Sequence, residues 1–215
     1  MLQCSSTSAG SVATVPEITD ASKAMLVNYM PAGTQLGEDA ADVLQVNAIG
    51  LAFSYGAQVL GDGANISPEA LTIWRNAAYM LAYGPTEVPT TLVENPAFFL
   101  TKNVLYVTNA SFTPAADASA LTDDPIVRMF TNDENFNITV VASDGAGTGV
   151  DFTGYDLAIA QETFGSGDDI WKSTGPFGIQ NITIPVIYNK TWALRDGKGI
   201  SSAGAAVVLS GDVSV

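Results

Sequence analysis

The chain has 215 residues, of which 8 are basic, 22 acidic and none histidine, giving a formal net charge of −14. Hydrophobic residues make up 47% and charged residues 14%, which excludes the apolar-poor, highly charged composition of disorder. The few Lys and Arg are scattered, so nothing in the sequence forms the basic cluster that nucleic acid requires.

Residues 1–13 are small and polar and read as a loose terminus. They lack the charged and apolar regions of an intact signal peptide. The run Met25-Leu-Val-Asn-Tyr29, closed by Pro31 and Gly33, predicts a strand and turn. Residues 46–55 predict a second buried strand, with Gly50 inside it as a sign of close packing. Ser67-Pro68-Glu69 then opens a helix: Ser67 as N-cap, Pro68 in the first turn, Glu69 at the positive end of the dipole. Ala70, Ile73, Trp74, Ala77, Ala78 and Leu81 recur on one face until Gly84-Pro85 stops the helix. Residues 85–102 contain Pro85, Pro89 and Pro96 and read as a linker.

Beyond the linker, short apolar runs alternate with helical pieces. Strands are predicted at 104–108, 137–142, 155–160, 182–188 and 205–209, a short helix behind Asp124-Pro125, and a helical turn within 170–179. Such alternation points to βα units and an α/β fold with a mainly parallel sheet. No apolar stretch approaches the ~20 residues of a bilayer span, so no membrane span is expected.

Three stretches carry a family resemblance: Asn103-Val-Leu-Tyr-Val-Thr-Asn-Ala110, Tyr155-Asp-Leu-Ala-Ile-Ala-Gln-Glu162 and Thr183-Ile-Pro-Val-Ile-Tyr-Asn-Lys-Thr-Trp-Ala-Leu-Arg195. They resemble the first, third and next strands of a ThuA-like domain, the trehalose-utilisation type of the class I glutamine-amidotransferase-like fold. Gly50-Leu-Ala-Phe-Ser-Tyr-Gly56 and residues 67–84 resemble that domain's final strand and C-terminal helix, yet precede the rest. The resemblance implies a flavodoxin-like sandwich in circularly permuted or fragmentary order, of a kind carried by bacterial surface proteins. On that reading 14–84 is a C-terminal-half-like β-β-α segment and 103–215 an N-terminal-half-like βα segment. Each alone buries little, so they are expected to pack as one domain.

The chemistry is narrowed by what is missing. The amidotransferase fold performs catalysis with a cysteine and a histidine. Here there is no histidine, and the single cysteine, Cys4, lies near one end. Cysteine–histidine hydrolysis, a Ser-His-Asp triad and histidine-dependent zinc sites are therefore excluded. Carboxylate chemistry stays open, with Glu162 just past a strand and Asp168-Asp169 in the loop behind it. Asp144-Gly-Ala-Gly-Thr-Gly149 has no Gly-Lys-Ser/Thr and reads as a turn, not a phosphate loop. Calcium on Asp144, Asp151, Asp168 and Asp169 rests on acidity alone; no metal site and no cofactor are expected.

Ligands of open parallel sheets bind outside the carboxyl ends of the strands. Those ends carry Gln161, Glu162 and Thr163, then Asn189, Lys190 and Thr191 with Trp192 and Arg195 behind them, and Ser54 and Tyr55 from the earlier strand. Glu162, Lys190 and Tyr55 are expected to converge; the plainer alternative makes these groups packing and ion-pair residues. Five Asn-x-Ser/Thr tripeptides, at Asn65, Asn109, Asn137, Asn181 and Asn189, accompany a Ser/Thr/Gly-rich acidic composition. The tripeptides are what a Thr- and Asn-rich composition produces by chance; the missing nucleophile and base, the acidic Ser/Thr/Gly-rich composition and the resemblance point to a non-catalytic, extracellular or cell-surface structural or adhesive module. Its partners would be a glycan, neighbouring protein modules or further copies of itself. A carbohydrate hydrolase using paired carboxylates, with Glu162 as its acid, and a sugar- or calcium-binding module are the alternatives.

Overall fold

The computed structural model describes residues 10–13, 27–35, 43–51, 68–84, 100–110, 124–165 and 167–190. Among these residues seven strands form one mixed sheet: β1 (Gly10–Ala13), β2 (Val27–Met30), β3 (Ala48–Leu51), β4 (Lys102–Asn109), β5 (Phe136–Ser143), β6 (Leu157–Ala160) and β7 (Val186–Tyr188). Their order across the sheet is β1-β2-β3-β7-β6-β4-β5. From β3 to β5 every neighbouring pair is parallel, whereas β1–β2 and β2–β3 are antiparallel. The fold is thus α/β with a mainly parallel sheet. Gly10–Ala13, inside the stretch expected to be a loose terminus, is instead β1, paired with β2.

The strands in the middle of the sheet are apolar on both faces, as a doubly covered parallel sheet demands. On one face Ile49, Val104, Tyr106, Leu157, Ile159 and Ile187 are buried beneath two helices, α1 (Pro68–Tyr83) and α2 (Pro125–Thr131). Trp74, Ala77, Ala78 and Leu81 are the buried stripe of α1, at the helical spacing read from the sequence. Asp124 caps α2, its Oδ1 accepting from the N–H groups of Ile126 (2.8 Å) and Val127 (3.2 Å).

Alternation of side chains along a strand sends Ala48, Leu105, Val107, Ala158, Val186 and Tyr188 to the opposite face. No helix longer than three residues covers it among the described residues. Its cover is the β6–β7 connection, with one 3-10 turn (Asp169–Trp171) and the buried side chains Phe164, Ile170, Trp171, Phe177, Ile179 and Ile182. Two tight turns hold this irregular layer. A Cβ at Gly175 would strike the backbone of Asp169 and Ile170, and one at Gly178 the backbone of Lys172 and Ser173. The strand expected at 182–188 is only Val186–Tyr188; Pro185 has no N–H for the ladder, though its carbonyl accepts from Ala158.

The segment holding β3 and α1 and the segment holding β4 to β7 meet in this sheet. Ala48, Ile49 and Gly50 pair with Val186, Ile187 and Tyr188, and Trp74 shares a buried cluster with Tyr106 and Ile159. The strand expected at 205–209 and nearly all of the linker at 85–102 lie outside the described residues. No described helix is long and apolar enough to cross a membrane.

Candidate functional site at the carboxyl edge

Strands β4, β6 and β7 end side by side, so the residues just past them share one edge. The ladder runs one residue beyond the strands: Gln161 N–H donates to the Val107 carbonyl and Asn189 N–H to that of Ala160, both at 3.0 Å. Nine polar or charged residues are buried among the described residues, and six of them stand here: Thr108, Ser143, Gln161, Glu162, Thr163 and Asn189. Burying polar groups is tolerated only where they find partners, so their partners decide what the edge is for.

Most of those partners are internal. The Thr163 N–H donates to Gln161 Oε1 at 3.0 Å, closing the turn after β6. Its hydroxyl lies 3.1 Å from that of Thr108 and accepts from Asn109 N–H at 2.9 Å, tying β6 to β4. Ser143 Oγ donates to the Thr148 carbonyl at 2.8 Å. Asp168 Oδ2 accepts from Gly165 N–H at 2.8 Å. Lys190 Nζ donates to the Glu162 carbonyl at 3.0 Å. Burial pulls the Lys190 ammonium below its ordinary value, opposed by the carboxylates of Glu162 and Asp168.

Asn189 is the exception. Its side chain is buried, and neither the carboxamide nitrogen nor its oxygen has a hydrogen-bond partner among the described residues.

Of the residues expected from sequence, the structure brings together Gln161, Glu162, Thr163, Asn189 and Lys190. Ser54, Tyr55, Thr191, Trp192 and Arg195 lie outside the described residues. Asp144, Asp151, Asp168 and Asp169 are described, and no group of three or more acidic or thiol side chains among the described residues is placed to hold a metal ion. The Asp144 loop is a turn held by its own carboxylate, which accepts from the N–H groups of Ala146 and Thr148 and from the Thr148 hydroxyl. Those bonds, the pair from Thr148 foremost, keep the carboxyl below its ordinary value.

A second polar cluster escaped the sequence. Asp133, in the turn between α2 and β5, accepts from Arg75 Nε (2.8 Å), the Tyr79 hydroxyl (3.0 Å) and Asn135 N–H (3.1 Å). Arg75 and Asp133 stand 58 residues apart, so no local spacing could have joined them. Their one signal was a turn-like Asn-Asp-Glu-Asn string, which says nothing about its partner.

Comparison with protein-family models, with curated proteins and with solved structures finds no match for this chain.

Proposed function

We propose that this chain is a non-catalytic structural or adhesive module of an extracellular or cell-surface protein. The observation that carries this reading is the state of the carboxyl edge. Where an α/β enzyme presents reactive groups, Thr108, Ser143, Thr163 and Lys190 are engaged with the protein itself. The chain has no histidine to act as a base. The acidic, Ser/Thr/Gly-rich composition supports an exterior location.

We further read the fold as a circularly permuted flavodoxin-like sandwich of the ThuA-like kind. Counted from β4, the order β5-β4-β6-β7-β3 follows the flavodoxin-like sequence 2-1-3-4-5, with β3 and α1 in the fifth place. The helices behind the first and fifth places, α2 and α1, lie on one face, which supports the same reading.

A second reading, a sugar-binding edge, is favoured by Asn189 alone: its unpartnered carboxamide offers a donor and an acceptor, as a sugar hydroxyl requires. The surface role is tested by protease treatment of intact cells of the source organism. The expected result is loss of the chain from intact cells at protease levels that spare cytoplasmic markers. Full protection until lysis would overturn it.

A further inference from the structure

A cleft of about 790 Å3 opens between α1 and α2, on the helix-covered side of the molecule. Leu71 and Arg75 line it from α1, Arg128 and Met129 from α2, and Asp133 and Glu134 from the turn that follows. The volume lies within the ~300–1,000 Å3 of small-molecule sites. Charge makes the place unusual: two of the eight basic residues of a chain with net charge −14 stand on its walls.

The two arginines differ in what they have left to offer. Arg75 is anchored by its Nε bond to Asp133 and lies over the Tyr79 ring, 5.3 Å from its centroid. Its side chain keeps 30% exposure at the cleft wall. Asp133 is spent on Arg75, Tyr79 and Asn135. Arg128 is exposed and makes no ion pair among the described residues. A guanidinium matches a carboxylate with two parallel hydrogen bonds. Leu71 and Met129 are half-buried, an apolar strip beside that fork. With Asp133 and Glu134 also present, the cleft tolerates one added negative charge better than two.

We propose that this cleft binds a small organic monocarboxylate with a short apolar body, its carboxylate on Arg128 and its body against Leu71 and Met129. The site is separate from the carboxyl edge and does not depend on the structural-module reading. The test is a titration of the whole protein, labelled at its methionine methyl groups, with hexanoate, 1-hexanol and inorganic phosphate.

Hexanoate should move the Met129 methyl signal saturably, while 1-hexanol at equal concentration leaves it in place and phosphate binds more weakly. Arg128→Gln should weaken hexanoate binding about tenfold, the loss of one charge-assisted contact, with an unchanged Tm. No saturable shift, equal response to hexanol, equal affinity for phosphate, or full affinity in R128Q would each overturn the proposal.

Discussion

Tyr188 shows how a single side chain ties the sheet to the irregular layer that covers its second face. Its ring is fully buried at the end of β7, and its hydroxyl donates to the Phe177 carbonyl at 2.9 Å. Removing only the oxygen, in Tyr188→Phe, leaves that carbonyl buried without its donor. The expected loss is about 1–2 kcal/mol of stability, read as a lower urea midpoint with an unchanged slope; an unchanged midpoint would refute it. Lys190 is a different case, since opposing influences act on it: burial disfavours its charge, and the carboxylates of Glu162 and Asp168 favour it. Residue-scale roles of this kind were partly legible. Glu162 and Lys190 were marked as strand-end neighbours from their positions, and they do meet. That the contact runs from the ammonium to the Glu162 backbone oxygen was beyond any sequence pattern, because it depends on how the turn at 161–163 folds back.

At the scale of elements, legibility followed periodicity. Helix α1 announced itself by Pro68 and Glu69 at its start, a 3-4 apolar stripe and Gly84 at its end, and it spans Pro68–Tyr83. The parallel strands announced themselves as apolar runs. The β6–β7 connection did not, because Phe164, Ile170, Trp171, Phe177 and Ile179 follow neither a 3.6 nor a 2.0 repeat. Apart from one 3-10 turn they cover a sheet face without regular structure, so the backbone itself must be held by turns. Gly178, like Gly175, is a sensitive point: a methyl group there meets backbone carbonyls, not a side chain that can swing away. Gly178→Ala should therefore cost about 3 kcal/mol, measured by thermal unfolding, while a Tm within a degree of the parent would show that this layer yields. Strand β1 was illegible for another reason. Gly10-Ser-Val-Ala has little strand propensity, and what makes it a strand is pairing with β2.

For the whole molecule, burial of phenols links stability to pH. Desolvation raises Tyr188 and Tyr83 above the range of a free phenol, and raises Tyr79 in the same direction. Above about pH 10 the unfolded chain loses those protons while the native one keeps them. The native state then binds more protons, so stability falls as pH rises beyond that point. Lys190, shifted downward, contributes in the opposite sense only up to its ordinary value of 10.5. The urea midpoint should drop between pH 10 and 11.5, with tyrosinate absorbance from these groups appearing mainly on unfolding; a flat midpoint would contradict the desolvation of the three phenols.

On the proposed function, the carboxyl edge of the sheet is packed rather than catalytic. Release of reducing ends from a panel of polysaccharides, by the parent and by Glu162→Gln, tests it most directly. Neither protein is expected to release reducing ends above buffer. Turnover by the parent that Glu162→Gln abolishes, with Tm unchanged, would contradict it and assign the edge to carboxylate catalysis.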